Sequence, residues 1–567
     1  MSDRGRVGPF LLVLTLGALL YLPGLGREIL RHPLEAKYAL AAREMVRGGP
    51  WLVAHLFDRI YPDKPPLYFW ATAAVAELRG GRLDEVSARL PAVVGGLASL
   101  AFTLALGQAL FGARAGLAGA TVLATSGLFF WYARQGHPDQ FLIAAVTLAC
   151  LGLWRSFTTP RGRRRTAWAA LAYAAMGLGV LSKGLLGLVI PLLAGAFYLA
   201  LTGPLRAVPR RIALWPGLPA FLAVVLCWYV PAVARHGVGY LRETIVHQQV
   251  ERYARSWVHR GPWYQYFVDF ATGFLPWTLF VPGAVALAWL AWRGARDGLR
   301  EARATASTPD AQAPAPFLFP LCWFVAGFVF FSLSPGKRTA YLLPLYPAAA
   351  LLVGWMWALA IGEDRRSPWL AVPVALLAGA AALFAGVAAG LAMGVPILPR
   401  RYIPGRMVDT LVPADPAWQV AAAALLLAGA VAIWATWGRR LGETFVAIVL
   451  AVALCLLAVT LVRAPQYEAR YPARDLAIHI AAQAPPDEPL LSLLDDYNFL
   501  VAFYLDRPIA PLSGPSELLA ARRTAARLAL LDNNDRALLT EPGVTVLARG
   551  QLGPKWIVLV RLDRRPG

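Results

Sequence analysis

The feature that most constrains this chain is a succession of long apolar segments separated by short polar loops. A helix that crosses a bilayer needs about 20 mainly apolar residues. Only 15% of this chain is charged, against roughly 25% in soluble proteins. We count about thirteen segments of the required length. They lie at 8–25, 87–111, 115–133, 138–156, 166–182, 184–202, 211–234, 267–293, 315–333, 339–360, 367–393, 416–437 and 443–463. The sequence therefore predicts a polytopic α-helical membrane protein.

Arginines concentrate in alternate loops of this arrangement, in a chain whose net charge is +21. They stand at Arg4, Arg6, Arg114, Arg161, Arg163, Arg164, Arg165, Arg206, Arg210, Arg211, Arg293, Arg296, Arg300, Arg303, Arg365, Arg366, Arg439 and Arg440. Because positively charged loops stay in the cytoplasm, these loops and the N-terminus are expected there, and the C-terminus on the opposite side. No polar region is both large and basic enough for a nucleic-acid surface. The charge is therefore interpreted as a membrane-orienting signal.

Two polar loops and the C-terminal region stand on the outer side of that topology. The loop 27–86 contains a run from Glu35 to Val46 whose apolar spacing predicts an interfacial helix. The loop 235–266 ends in aromatic residues that suit a headgroup region. After residue 463 the apolar runs shorten and alternate with helical stretches, which predicts a small α/β domain. The predicted domains are a membrane domain, 1–463, and an outer domain, 464–567.

Ionisable residues concentrate in the loop 27–86. Such residues beside an apolar phase are costly unless they contact a charged group, so we interpret this loop as the lining of an active site for a charged, lipid-linked substrate. Glu35 could orient or deprotonate an acceptor, or it could be a helix N-terminal acid that complements the helix dipole. Lys64, between Asp63 and two prolines, could stabilise a phosphate leaving group or anchor the chain at the headgroups.

Further ionisable residues lie at the outer ends of apolar segments. Asp139 opens the fourth segment, where it is either a helix cap or a site residue. Lys183 and the pair Lys337 and Arg338 each separate two apolar runs. They could bind a phosphate group or anchor the membrane interface. The chain has no GxxxxGK, GxGxxG or HExxH motif, so neither a cofactor nor a metal is predicted.

A set of short motifs occurs in order along most of the membrane region. It consists of Glu35-Ala36-Lys37-Tyr38-Ala39, Ala42-Arg43-Glu44-Met45, Tyr61-Pro62-Asp63-Lys64-Pro65-Pro66-Leu67-Tyr68, Ala88-Arg89-Leu90-Pro91, Leu181-Ser182-Lys183-Gly184, Gly261-Pro262-Trp263-Tyr264 and Lys337-Arg338-Thr339-Ala340-Tyr341. In these motifs the chain resembles the membrane glycosyltransferases that include the aminoarabinose (4-amino-4-deoxy-L-arabinose) lipid A transferases and the protein O-mannosyltransferase-like enzymes. One position departs from the family pattern, because Leu34 stands where an acidic or hydroxyl residue often precedes the glutamate.

The resemblance implies a GT-C fold with about thirteen membrane helices and a periplasmic C-terminal domain, in a bacterial inner membrane. It implies an inverting transferase that moves a sugar from a polyprenyl (undecaprenyl) phosphate carrier to an acceptor outside the cytoplasm. The favoured acceptor is a lipid A phosphate, while another glycolipid, a polysaccharide or a protein remains open. The implied catalytic residues are Glu35, Asp63, Lys64 and Asp139, and the implied carrier or substrate contacts are Lys183, Lys337, Arg338, Arg89, Tyr341, His259 and Tyr264.

A transporter or flippase for a lipid-linked sugar is the alternative from another class, because it also needs many spans and a few charges at membrane depth. Transporters often contain internal repeats and helices that are broken at mid-membrane, and we detect neither in the sequence. The acids and bases cluster on the outer side instead, which favours an enzyme.

Overall fold

The computed structural model describes residues 4–30, 32–57, 59–203, 205, 208–255, 260–305, 315–363, 367–392, 416–463, 473–552 and 555–565. Its helices are Arg4–Tyr21, Pro33–Val46, Leu67–Leu78, Glu85–Phe111, Ala113–Ala124, Gly127–Ala133, Asp139–Thr158, Arg163–Lys183, Leu186–Thr202, Val208–Arg211, Leu214–His236, Val238–Leu241, Arg252–Arg255, Gln265–Gly273, Val281–Thr305, Leu318–Leu333, Tyr346–Glu363, Pro368–Ala392, Pro416–Trp437, Leu441–Ala458, Ala473–Gln483, Tyr497–Leu505, Pro515–Thr524 and Arg536–Leu539. Short 3₁₀ turns occupy Trp277–Phe280 and Thr339–Leu345, and π-helical turns occupy Arg242–Glu251 and Val459–Arg463.

Membrane-crossing helices dominate the described part of the chain. Seven are long and apolar enough to cross a bilayer, at Glu85–Phe111, Asp139–Thr158, Leu214–His236, Trp277–Ala295, Thr339–Glu363, Pro368–Val387 and Leu441–Leu461. A bent pair, Ala113–Ala124 with Gly127–Ala133, raises the number to eight when it is taken as one span. Shorter apolar helices occupy most of the other predicted segments. The multi-pass architecture therefore agrees with the sequence, while the number of thirteen spans stays a prediction.

One predicted span, 115–133, is broken in the structure, although no broken helix was expected from the sequence. Its two halves meet at an angle of 69°. At the break the hydroxyls of Thr125 and Ser126 donate to carbonyls of the preceding turn, at 2.7 Å to Thr121 and 2.9 Å to Leu123. These local bonds compete with continuation of the helix, and the amide of Gly127 turns away to the carbonyl of Leu275 at 3.1 Å. The second half then leads directly into the turn that holds Asp139.

The C-terminal region contains a five-stranded sheet. The strands are β1 (His55–Leu56) and β2 (Arg59–Ile60) in the first outer loop, then β3 (Leu490–Ser492), β4 (Ala510–Pro511), β5 (Arg527–Asp532), β6 (Val544–Leu552) and β7 (Lys555–Leu562). The large sheet has the order β4-β3-β5-β7-β6. β3 pairs in parallel with β4 and β5, whereas β7 is antiparallel to β5 and β6. Strands and helices alternate here, as the shortened apolar runs of the sequence predict.

The first outer loop and the C-terminal sheet share one hydrophobic core. Side chains of the helix Pro33–Val46, including Tyr38 and Ala41, belong to the same buried cluster as Phe503 and Leu528. The same two regions are also joined by a hydrogen bond, which the backbone amide of Leu30 donates to the hydroxyl of Tyr504 at 2.7 Å. This core contains residues from both sides of the predicted division at residue 463, which stays a prediction, and residues 464–472 lie outside the described residues.

Candidate active site

Glu35 lies in the first turn of the helix Pro33–Val46, which His32 caps and Pro33 begins. Its carboxylate is only 1% exposed and forms an ion pair with Arg89 at 2.7 Å. It also accepts the backbone amide of Gly136 at 2.8 Å. Burial by itself raises the pKa of Glu35, but attraction to Arg89 and these hydrogen bonds outweigh burial and lower the pKa. Glu35 is therefore an enclosed, ionised carboxylate.

The remaining N–H donors of Arg89 form hydrogen bonds with backbone carbonyls at the start of the first outer loop. They donate to the carbonyls of Leu25, Glu28 and Ile29 at 2.9, 2.8 and 2.8 Å. A buried guanidinium with this many partners fixes the chain around it. The Glu35–Arg89 pair therefore joins the loop, the helix Glu85–Phe111 and the turn at Gly136 into one rigid unit.

The turn that follows Gly136 connects this pair to a second buried ion pair. His137 is buried against the ring of Tyr38, with 5.7 Å between centroids. Burial lowers the pKa of His137 to about 3, so its imidazole is neutral at pH 7. Two residues later, the carboxylate of Asp139 accepts a hydrogen bond from the ammonium of Lys183. Asp139 thus holds Lys183 in place across two helices.

Lys183 opens onto a cavity of about 260 Å³. Two further cations, Lys64 and Arg338, line the same cavity. Its remaining walls are mostly apolar and include Leu185, Leu186, Val189, Val250, Phe330, Phe331 and Tyr341. A chamber with three cations and a long apolar flank suits a phosphate attached to a lipid chain.

Lys64 lines this cavity, and Asp63 lies next to it in the sequence. Their side chains form an ion pair at 2.8 Å and are 22% and 12% exposed, respectively. The hydroxyl of Tyr61 donates to the other carboxylate oxygen of Asp63 at 2.8 Å. Of the three acids predicted from the sequence, Asp63 is the most accessible, since Asp139 is only 4% exposed and Glu35 is less so.

Arg338 and Tyr341 complete the cationic end. Burial by itself lowers the pKa of Arg338, but the carboxylate of Asp139 and the nearby tyrosines together outweigh burial and raise it, so the guanidinium stays charged. The charge of Arg338 also acts on the hydroxyl of Tyr132. The ammonium of Lys183 lies 5.3 Å from the centroid of the Tyr341 ring, within the range of a cation–π contact.

Three described residues that the sequence predicted as substrate contacts, Arg89, Lys337 and Tyr264, do not line this cavity. The ammonium of Lys337 donates to the carbonyls of Phe331, Ser332 and Ser334 at 3.3, 2.7 and 2.6 Å. It therefore caps the end of the helix Leu318–Leu333. Tyr264 is 52% exposed, and His259 lies outside the described residues.

The opposite wall of the cavity comes from residues that the sequence-based site omitted. Gln248, Gln249 and Tyr253 line it, and the first two stand in the π-helical turn Arg242–Glu251. Such turns are rare and frequent at functional sites. The amide of Gln249 packs directly against Gly184, beside Lys183. The only signal in the sequence was the polar composition of the loop 235–266.

The described residues contain no group of three or more His, Cys, Asp or Glu side chains that could hold a metal ion. Lys64, Lys183 and Arg338 line the cavity and supply positive charge to it.

The amino-acid sequence is similar to those of known glycosyltransferases. Residues 63–230 match the family model described as dolichyl-phosphate-mannose-protein mannosyltransferase. The undecaprenyl phosphate-alpha-4-amino-4-deoxy-L-arabinose arabinosyl transferase of Pectobacterium carotovorum subsp. carotovorum is 29% identical over 407 residues, which cover 69% of this chain and 66% of that protein. The enzyme of the same name from Pseudomonas aeruginosa is 30% identical over 346 residues, which cover 61% of this chain and 58% of the relative. The predicted family resemblance is confirmed. The chain therefore spans less than two thirds of the length of these two relatives, 66% of the first and 58% of the second.

Two solved structures superimpose on almost the whole chain. ArnT from Cupriavidus metallidurans bound to undecaprenyl phosphate superimposes with a TM-score of 0.74 at 23% identity, and covers 99% of this chain and 98% of its own. The archaeal oligosaccharyltransferase AglB from Archaeoglobus fulgidus has a TM-score of 0.52 at 10% identity, over 93% of this chain and 69% of its own. The chain therefore has the GT-C fold.

Proposed function

We propose that this protein is an inverting glycosyltransferase that moves a sugar from a polyprenyl phosphate carrier to an acceptor outside the cytoplasm. The observation that carries the proposal is the cavity in which Lys64, Lys183 and Arg338 face one chamber with an apolar flank. The names of the relatives favour undecaprenyl phosphate as the carrier and 4-amino-4-deoxy-L-arabinose as the sugar. A lipid A phosphate is the favoured acceptor.

The chemistry follows from where charge develops. When the bond between the anomeric carbon and the carrier oxygen breaks, negative charge accumulates on the departing phosphate. Cations already fixed around that phosphate stabilise the transition state more than the ground state. Lys183 is held by Asp139, and Lys64 by Asp63, so little rearrangement is needed at the moment of reaction. The acceptor attacks the opposite face of the anomeric carbon, which inverts its configuration.

The three predicted acids take different roles in this proposal. Asp63 is the carboxylate best placed to orient the acceptor, and it can accept a proton when the acceptor is a hydroxyl. Asp139 positions Lys183. Glu35 positions the first outer loop through Arg89 and touches no reactant.

The proposal includes a location. The N-terminus lies in the cytoplasm of a bacterium, the helices cross the inner membrane, and the C-terminal sheet and the cavity face the periplasm. The distribution of arginines among the loops supports this orientation.

The decisive experiment is product formation by purified protein in detergent, where transport has no meaning. Wild-type protein should consume undecaprenyl phosphate-linked aminoarabinose in the presence of lipid A. We expect Lys64→Ala to lower turnover by a factor of about 10²–10³, the cost of removing one preorganised charge-stabilising group. Arg164→Ala, at an exposed residue in the first turn of the helix Arg163–Lys183, is the matched control and should retain turnover. Normal turnover by folded Lys64→Ala protein would contradict the proposal.

A further inference from the structure

A second and larger cleft lies between the first outer loop and the C-terminal sheet. It has a volume of about 630 Å³, within the range of roughly 300–1,000 Å³ that is usual for ligand sites. The first outer loop contributes Lys37, Phe57, Arg59, Ile60 and Tyr61 to its wall, and the C-terminal region contributes Asp487, Glu488, Phe499, Arg507 and Pro508.

Residues of one short segment line this cleft and the cationic cavity. Tyr61 lines the cleft, and its hydroxyl donates to Asp63 at 2.8 Å. Asp63 in turn pairs with Lys64, which lines the cavity. The segment 61–64 therefore contributes to both the cleft and the cationic cavity.

Lys37 supplies the cleft with a half-buried positive charge. Its ammonium lies 5.0 Å from the centroid of the Tyr61 ring and 4.8 Å from that of Phe499. Two cation–π contacts hold the ammonium in place but neutralise none of its charge. Arg59 adds a second cation at the exposed side of the cleft. An anionic group such as a phosphate is the ligand that this wall favours.

A strained residue stiffens the aromatic part of the wall. Phe57 has a φ of +55°, a conformation that bulky residues avoid and that concentrates at functional sites. Its amide donates to the carboxylate of Glu44, and its ring stacks on Phe499 with 6.0 Å between centroids. Flat, rigid rings can pack against the apolar face of a sugar. The carboxylates of Asp487 and Glu488 on the opposite lip can accept hydrogen bonds from hydroxyl or amino groups.

We propose that this cleft binds the phosphorylated sugar headgroup of the acceptor, with Lys37 contacting the phosphate. This inference rests on the proposed function, because it gives the donor the cationic cavity and the acceptor the cleft. The Glu35–Arg89 pair contributes by fixing the start of the helix that carries Lys37.

The test measures binding of two probes to full-length protein in detergent. The first probe is undecaprenyl phosphate, and the second is a tail-free glucosamine disaccharide that carries a phosphate. Lys37→Met keeps the stem of the side chain and removes the charge. It should weaken disaccharide binding by about tenfold or more, the effect of one lost charge-assisted contact, and leave undecaprenyl phosphate binding within about twofold. Lys64→Ala should do the reverse, and Lys37→Arg should restore much of the disaccharide binding.

Arg549→Ala is the control, because Arg549 is exposed on β6 and lines neither cavity. Equal disaccharide binding by Lys37→Met and Arg549→Ala would overturn the inference. Inorganic phosphate that binds as tightly as the disaccharide would overturn the assignment of a sugar headgroup. Protein that binds the disaccharide through Lys37 but does not bind undecaprenyl phosphate would support the cleft and contradict the proposed function, so the two failures are distinguishable.

Discussion

At the scale of single residues, chemically similar side chains in this chain have different surroundings. Lys337 and Arg338 are neighbours in sequence, yet Lys337 caps a helix through three carbonyls while Arg338 lines the cationic cavity. Glu35 and Asp63 are both acids of the first outer loop, but only Asp63 has appreciable access to solvent. Motifs identified these residues, and only their partners separate a structural role from a chemical one.

The first prediction concerns Glu35. Glu35→Gln leaves the guanidinium of Arg89 buried without its counter-charge, which should lower the free energy of unfolding by about 3–5 kcal/mol. Thermal unfolding in detergent measures the loss. The matched change Glu443→Gln, in an exposed pair with Arg440 at 3.5 Å, should cost less than about 1 kcal/mol. Wild-type stability with abolished turnover in Glu35→Gln would instead assign Glu35 to the chemistry.

The second prediction is a pH dependence. The pKa of His137 is lowered to about 3 in the folded protein, against roughly 6.5 in the unfolded chain. Between these two pH values the unfolded state binds more protons than the folded state. The contribution of His137 to the free energy of unfolding is therefore complete above pH 6.5 and is lost as the pH falls toward 3. The lowered pKa of Glu35 acts in the same direction but only in the acid range, below its unfolded value.

We therefore expect the free energy of unfolding to fall between pH 7 and pH 5, by up to about 1.4 kcal/mol per pH unit from His137. The Tm should fall with it. His137→Gln should flatten that slope. The same change at His479, which is exposed, should leave it as in the wild type. A wild-type slope in His137→Gln would show that another group is responsible.

At the scale of elements, the breaks between helices shape the cavity. The bend after Ala124 leads the chain to the turn that holds Asp139, and the short turn at Gly184 places Lys183 at the end of its helix. Helix lengths and apolar faces could be predicted from the sequence. The bend could not, because Thr125 and Ser126 are tolerated inside many helices and acquire their effect only beside the carbonyl of Leu275.

The third prediction tests the turn at Gly184. Gly184 and Gly237 both end helices with positive φ, +92° and +79°, so alanine at either position should cost more than about 1 kcal/mol through backbone strain. Only at Gly184 would the new methyl group also collide with Gln249, since nothing lies within 4 Å of the corresponding position at Gly237.

Both variants should therefore lower the Tm, Gly184→Ala by at least as much as Gly237→Ala, while Gly184→Ala alone weakens binding of undecaprenyl phosphate. Equal carrier binding by folded Gly184→Ala and Gly237→Ala would exclude a role for the Gly184–Gln249 contact.

At the scale of the whole molecule, one loop segment contributes to two cavities, and the C-terminal sheet closes the second of them. In the proposed function, the cationic cavity binds the lipid-linked donor and the cleft binds the acceptor. This arrangement depends on a shared hydrophobic core between the first outer loop and residues 476–559. Removing the C-terminal region would therefore expose the core beneath the loop as well as the cleft.

The fourth prediction concerns orientation in the membrane. In a variant whose four cysteines are replaced by alanine, Arg549→Cys should react with an impermeant maleimide in intact spheroplasts. Arg164→Cys, in the first turn of the helix Arg163–Lys183, should react only after lysis. Labelling of both from the same side would contradict the proposed topology.

The sequence by itself determined the class of this protein, because the length of an apolar segment sets whether a helix can cross a bilayer and the loop arginines favour one orientation. It also indicated most of the charged residues at the site, since charges are rare in such a chain. Only the tertiary structure decided which of them face a common chamber, that Glu35 is enclosed by Arg89, and that the C-terminal sheet walls a second cleft. These features arise from contacts between segments far apart in sequence, and no local pattern of residues encodes them.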